Sequence, residues 1–329
     1  MSGNHNQSLN RALEIVSEAA QAGADAIKLQ TYTADTMTLD VKNKDFLIND
    51  PTSLWNGRQL YDLYKEAHTP WAWHKPIMEH AKDLGIHCFS SPFDSSSVDF
   101  LEKLNVPVYK IASFEINDLP LIRKVASTRK PMIISTGMAS LSEIEEAISN
   151  AKDAGCTEIV LLKCTSTYPA SPKNSNLKTI PNLKDIFNCE VGLSDHTIGI
   201  GVALGAITLG ATVIEKHFTL NRQDGGVDSS FSMEPNEFLQ LREEGDKVWE
   251  ALGTIKYGGT DAEAKSKEHR RSIYIGMDLK AGDKLSHQNL RIIRPGFGLE
   301  PKYYEKIIGY EIKRDLPAGT AITWDLLKD

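Results

Sequence analysis

Along roughly the first 250 residues, short apolar or β-branched runs alternate with longer amphipathic stretches. The runs are DAIKLQ (25–30), IHCFSS (86–91), PVYKIAS (107–113), PMIIST (131–136), EIVLLKCT (158–165), EVGLS (190–194) and TVIEKHF (212–218). Between most of them lie segments with helical periodicity, among them LNRALEIVSEAAQAG (9–23), SLSEIEEAISNAKDAG (140–155) and PNEFLQLREEGDKVWEALG (235–253). The segment at 140 opens with Ser140 and Glu143 in capping-box spacing and closes on Gly155. Strands that are apolar throughout and separated by helices predict a parallel sheet covered on both faces.

Seven such strands are visible, one short of the α/β architecture called the (β/α)8 TIM-type barrel. The chain opens with a polar turn, SGNHNQS, that leads straight into a helix, as the end of a first βα-loop does. The expectation is therefore a barrel whose first strand lies upstream of Met1. The pattern changes after residue 253. Residues 254–269 are polar, charged and Gly-containing, as in a linker, and residues 270–329 read as a small β-rich module with turn pairs such as AGD and PGFG. At about 60 residues a lone core is marginal, so this module is expected to lean on the barrel or on a second subunit.

Composition narrows the function classes. Of 329 residues, 41% are hydrophobic and 25% charged, which is ordinary for a globular protein. The formal net charge of −7 argues against a general nucleic-acid or anionic-membrane surface. No apolar run reaches the ~18 residues of a membrane span. The opening MSGNHNQSLN lacks the basic and apolar regions of a signal peptide. Cys88, Cys156, Cys164 and Cys189 are widely spaced, without a zinc pattern, which suits free thiols in the cytoplasm.

In a barrel, the active site forms where strands run out into βα-loops, so polar residues ending apolar strands are the informative ones. They are concentrated here: Lys28 and Gln30, Ser90 and Ser91, Lys110, Ser113 and Glu115, Ser135 and Thr136, Lys163 to Ser166, Ser194 to His196, and Glu215 to His217. Strand alternation puts Lys28 and Gln30 on one face, and by the same reasoning Ser113 and Glu115. Lysines and hydroxyls converging on one mouth make an anion pocket. For one such residue a snorkelling lysine or a helix-capping serine is the commoner reading, but six on successive strands strain it. His196 and His217 end consecutive strands, within reach of one transition-metal ion, against the alternative of hydrogen-bonded core histidines. Asp228 lies in a Gly-containing loop and is equally readable as a turn former. The aromatic residues Trp55, Tyr61, Tyr64, Trp71 and Trp73 wall either a ligand pocket or the core.

Ten ordered motifs carry a resemblance: NHNQS (4–8), GADAIKLQTY (23–32), FSSPFD (89–94), YKIASFE (109–115), STGM (135–138), LLKCTSTYP (161–169), GLSDHT (192–197), IEKHFT (214–219), DGGVDSSFS (224–232) and RPGFG (294–298). Together they resemble the sialic-acid-synthase family over essentially the whole chain, and the C-terminal module resembles its antifreeze-like (SAF) domain. TADTMTLD (33–40), residues 53–74 and Ser91 look most like the pseudaminic acid branch. The resemblance implies condensation of phosphoenolpyruvate with 2,4-diacetamido-2,4,6-trideoxy-L-altrose. The neuraminate and legionaminate branches, using N-acetylmannosamine or a related sugar, are the alternative, and a non-catalytic carbohydrate-binding protein is the rival from another class. It further implies Lys28, Ser91, Lys110, Ser113, Ser166 and Ser194 around phosphoenolpyruvate, and a divalent metal such as Mn or Mg on His196 and His217. Glu115 would lie beside that metal or act through a water, and Gln30, Tyr168 and Asp228 would face the sugar. Arg294 would reach the sugar from the neighbouring subunit of a domain-swapped homodimer. In the sialic acid branch Asn and Thr stand where this chain has Ser166 and Ser91, and the family carries a substrate-contacting Glu ahead of the position of Met1.

Overall fold

Each of the seven apolar runs forms a strand in the computed structural model, which describes residues 1–328. The strands are β1 (Ala26–Thr31), β2 (His87–Pro92), β3 (Tyr109–Ile111), β4 (Met132–Ser135), β5 (Ile159–Cys164), β6 (Glu190–Asp195) and β7 (Val213–Lys216). They pair side by side in sequence order, every pair parallel. The helices of this unit are α1 (Leu9–Gln21), α2 (Ala34–Met37), α3 (Leu60–Ala67), α4 (Trp71–Asp83), α5 (Ser95–Lys103), α6 (Leu119–Ala126), α7 (Leu141–Asp153), α8 (Thr179–Phe187), α9 (Gly201–Thr208) and α10 (Pro235–Leu252).

Local chemistry sets the helix starts. The Ser140 side chain accepts from the Glu143 amide while Glu143 reaches back to the Ser140 amide, so α7 begins on a complete capping box. Asp94 and Ser97 do the same for α5. The main core lies between sheet and helices, where Tyr109, Ile111, Met132, Ile134, Leu161 and Val191 meet Val98, Ile122, Ala147 and Leu183. A second cluster packs Ile15 and Val16 of α1 and Ile77 of α4 against Ile27 and Leu29 of β1. Full burial of each such side chain is worth about 1.5–3 kcal/mol. One glycine is demanded by the sheet: a Cβ at Gly192 would run into the Val213 carbonyl oxygen, so β6 and β7 approach closely only because residue 192 has none.

The sheet curls like a TIM barrel but does not close. No strand among the described residues pairs with the outer edge of β1 or β7. These edges line a cavity of about 500 Å³, with Ala19, Gly23, Phe238, Leu241 and Trp249 on its helical side. The chain's first residues approach its polar end: the Met1 amine donates to the Lys28 carbonyl at 3.2 Å, and Ser2–His5 form a buried 3-10 turn.

The chain divides into two compact units, Met1–Gly253 and Thr254–Asp329. In the second, residues 254–270 are exposed and hold only short 3-10 turns. Beyond them lie two antiparallel pairs, β8 (Ser272–Ile275) with β9 (Leu290–Ile293) and β10 (Glu311–Ile312) with β11 (Leu327–Lys328). This unit has a core of its own, built on Ile273, Ile275, Leu285, Ile307, Ile312 and Ile322. Among the described residues no helix is long and apolar enough to cross a membrane.

Candidate active site

The C-terminal ends of the strands form a polar mouth, as the barrel geometry requires. Its centre is a carboxylate with two ammonium groups. Lys28 Nζ lies 3.6 Å and Lys110 Nζ 3.7 Å from the same oxygen, Glu215 Oε1. Ser194, the register partner of Glu215, donates to that oxygen at 3.0 Å. Burial alone would raise the Glu215 carboxyl, but Lys110, Lys28 and Ser194 hold it far below the usual carboxylate range. Lys110 is 2% exposed and donates to Ser135 Oγ at 2.7 Å. Burial lowers the affinity of its amine for the proton, and Glu215 opposes that shift. Glu215 and Ser135 hold no assigned role in the sequence reading although both end strands. The signal was there in their alternation with the inward residues of neighbouring strands.

Beside this triad is a cradle of hydroxyls. Ser113 Oγ lies 3.2 Å from the Gly137 amide, which donates to it, and a Cβ at Gly137 would collide with Ser166 Oγ. The glycine therefore leaves the space between Ser113 and Ser166 open. Ser91 is fully buried and its Oγ has no hydrogen-bond partner, whereas neighbouring Ser90 is taken up by Thr31, itself bonded to His74. Ser113 and Glu115 do not share a strand face as expected. β3 ends at Ile111, and residues 113–115 form a 3-10 turn. Three residues per turn override the alternation of a strand. Glu115 Oε2 is buried without a partner, and burial raises its carboxyl to about 7 while Lys110 pulls the other way.

The second feature is a pair of imidazoles. The rings of His196 and His217 are 5.3 Å apart between centroids. His196 Nδ1 lies 2.9 Å from the Thr165 carbonyl, which fixes that nitrogen as the donor and leaves Nε2 for another partner. Burial, with His196 and Lys28 nearby, keeps His217 well below its ordinary proton affinity, and its buried Nδ1 has no hydrogen bond. Asp228 Oδ2 is 3.8 Å from that nitrogen. A neutral, unpartnered imidazole facing a second imidazole fits a divalent ion of the Zn, Mn or Fe type. Among the described residues no group of three or more ligating side chains gathers, so the protein offers the two imidazoles.

The remaining residues sort themselves. Tyr168 packs between His196 (4.5 Å between ring centroids), Phe231 (5.3 Å) and Trp55 (5.7 Å). The Ser2 hydroxyl donates to the Asp228 carboxylate and lies 3.3 Å from Gln30 Oε1. Tyr168, Asp228 and Phe231 thus lie against the imidazole pair, and Ser2 links Asp228 to Gln30; Ser2 and Phe231 are not flagged by the sequence. The aromatic set splits. Trp55 reaches the site and anchors its indole N–H on the Val227 carbonyl, while Trp71 stacks on Phe100 and Trp73 packs on His5. Tyr61 bonds Asp35, and Tyr64 packs on Tyr32 within the field of Glu115. Arg294 belongs to the second unit, exposed just past β9.

Fold and mouth together define a TIM-type barrel protein whose mouth sets two lysines sharing one carboxylate beside a pair of imidazoles. The chain belongs to the NeuB family, whose profile matches residues 15–257, and an SAF domain matches residues 270–328. It is 43% identical over 322 residues to a pseudaminic acid synthase of Campylobacter jejuni, covering 98% of this chain and 93% of the relative. A pseudaminic acid synthase of Helicobacter pylori is 43% identical over 329 residues, covering 99% and 95%. Among solved structures, an N-acetylneuraminic acid synthetase from Leptospira borgpetersenii is similar with a TM-score of 0.71 and 33% identity, over 80% of this chain and 86% of that one. The SpsE spore coat polysaccharide biosynthesis protein of Bacillus subtilis gives 0.65 and 32%, over 99% and 93%.

Proposed function

We propose that this protein is an enzyme that condenses phosphoenolpyruvate with 2,4-diacetamido-2,4,6-trideoxy-L-altrose and water to give pseudaminic acid and phosphate. The observation that carries this reading is the Lys28–Glu215–Lys110 triad set beside the His196–His217 pair. The 43% identity to pseudaminic acid synthases supports the choice of sugar.

In this reading Lys28 and Lys110 bind the phosphate and carboxylate of phosphoenolpyruvate, with Ser91, Ser113, Ser166 and Ser194 as adaptable donors. Glu215 pairs with both ammonium groups and so aims them before the substrate arrives. His196 and His217 would hold the divalent ion, which supplies Lewis-acid polarisation of the open-chain sugar aldehyde when bound. C3 of phosphoenolpyruvate then forms the new bond to the aldehyde carbon, and positive charge develops at C2. Water adds there, its proton passing to solvent through Glu115, whose carboxyl exchanges protons near neutrality. The former aldehyde oxygen takes up one proton as the new hydroxyl; the C–O bond to phosphate breaks, inorganic phosphate departs with the bonding electrons, and the C2 hydroxyl gives up its proton to leave the ketone. Gln30, Tyr168 and Asp228 orient the sugar, and the apolar faces of Trp55 and Phe231 suit a C6 methyl group. Arg294 would complete the sugar site from the neighbouring subunit of a domain-swapped homodimer. A cytoplasmic setting belongs to the same reading and is supported by the four free cysteines.

The test is phosphate release from phosphoenolpyruvate with Mn(II), offered the diacetamido-trideoxy-altrose or N-acetylmannosamine. Release with the altrose alone is expected. Release with N-acetylmannosamine alone would keep the reaction and replace the sugar, and silence with both would overturn the catalytic reading. A single monomeric species by size exclusion would remove Arg294 from the site.

A further inference from the structure

Two side chains of the β6–β7 ladder take no part in the anion or imidazole sets, yet they stand directly before the imidazoles. Asp195 and Lys216 are the last registered pair of the two strands, and His196 and His217 follow them in sequence. Strand alternation turns Ser194 and Glu215 into the mouth and Asp195 and Lys216 away from it. Lys216 Nζ donates to Asp195 Oδ2 at 2.9 Å, to the Thr197 carbonyl at 2.6 Å and to the Gly199 carbonyl at 3.3 Å. Asp195 Oδ1 in turn accepts from the Thr197 amide at 2.9 Å. The two side chains are 1% and 2% exposed.

All three protons of the ammonium are therefore used, and the whole segment 195–199 is tied to β7 on both sides of His196. A buried ion pair is a poor way to gain stability, because apolar residues of the same volume usually serve as well. Its return here is geometric. The His217 carbonyl accepts from the Met233 amide at 2.8 Å and the His196 carbonyl from the Ala170 amide at 2.9 Å, so each imidazole has its own backbone anchor. Lys216 is the side chain that spans from the one anchored strand end to the other.

We propose that Lys216, through Asp195 and the Thr197 and Gly199 carbonyls, is a positioning residue that sets the separation of the His196 and His217 imidazoles and so the affinity for the divalent ion. This rests on the reading of the two imidazoles as the metal pair. Anchors of this kind typically change metal affinity by roughly 10–100-fold. The phosphoenolpyruvate site stands on Lys28, Lys110 and the hydroxyl cradle, none of which Lys216 touches, so its affinity should be unmoved.

Mn(II) binding, and separately phosphoenolpyruvate binding without metal, are measured by calorimetry on the full chain. Lys216→Met is compared with wild type, with Lys216→Arg and with His217→Ala. Lys216→Met is expected to weaken Mn(II) roughly tenfold or more, to leave phosphoenolpyruvate affinity within about twofold, and to be partly rescued by Lys216→Arg. Because Lys216→Met leaves Asp195 buried and unpaired, the neutral double variant Asp195→Asn/Lys216→Met serves if the single one does not fold. Unchanged Mn(II) affinity in a folded variant would overturn the positioning role. So would parallel losses of Mn(II) and phosphoenolpyruvate, which mark general loosening. Wild type that binds no Mn(II), or binds it equally after His217→Ala, would remove the metal pair and this proposal with it.

Discussion

The lysine side and the imidazole side of the mouth are equally buried, yet the protein treats ionisable groups in opposite ways on the two. Around Glu215 permanent charges are paired and hydrogen-bonded, which holds the carboxylate ionised against the cost of burial. Around His217 burial is left to act, so the imidazole is neutral and one nitrogen has no partner. In the proposed reading, the first arrangement would preorganise positive charge for phosphoenolpyruvate, and the second would keep a lone pair for the divalent ion. Glu115 is an intermediate case, buried enough to be raised to about 7 while Lys110 pulls the other way.

The largest effect should come from the imidazole side. His217→Ala is expected to lower metal-dependent turnover by roughly three orders of magnitude while phosphoenolpyruvate binding and the circular dichroism spectrum stay as in wild type. Turnover within tenfold of wild type would erase the division of labour between the two sides. Next, Glu215→Gln leaves Lys28 and Lys110 without their shared counter-charge. A loss of about 3 kcal/mol in the stability of the free protein is expected in denaturant titrations, and phosphate should restore part of it. No loss would mean that the lysines are solvated rather than compensated.

Glu115→Gln sharpens the boundary between the sides through pH. The folded carboxyl sits near 7, above its ordinary value of 4.5, so proton binding favours the folded state. That contribution is complete below about 4.5 and disappears as pH rises through about 7. Relative to wild type, the variant should therefore gain on the order of 2 kcal/mol at pH 8 and nothing at pH 4, read from thermal melts across pH. A gain independent of pH would show that Glu115 is not the titrating group. The smallest effect is expected for Ser135→Ala, which removes one charge-assisted bond to Lys110 and should cost about 1.5 kcal/mol, with phosphoenolpyruvate affinity lowered in proportion. Equal stability would assign the orientation of Lys110 to Glu215 alone.

Much of this was legible in the chain. The strand runs, the Ser140–Glu143 cap and the polar strand ends all rest on interactions between near neighbours, which leave a period or a spacing in the sequence. Where the backbone leaves its period, legibility fails: Ser113 and Glu115 satisfy the alternation on paper but sit on a 3-10 turn. The aromatic set failed for a different reason. Five rings within about 20 residues look like one wall, but Tyr61, Trp71 and Trp73 are taken up by Asp35, Phe100 and His5, and only Trp55 packs on Tyr168.

The sequence by itself determined the order of strands and helices and the type of polar group at each strand end, because hydrophobic period and local capping act over a few residues. Only the tertiary structure decided which of those groups share a counter-charge. Glu215 is 105 residues from Lys110 and 187 from Lys28 along the chain (215 − 110 and 215 − 28), and nothing in local pattern couples them. The same is true of burial, which makes one imidazole neutral and raises the Glu115 carboxyl to about 7, and of the two lysines and Ser194, which hold Glu215 ionised against it. Proton affinity depends on solvent and on charges in space, and a curled sheet assembles both from residues remote in sequence.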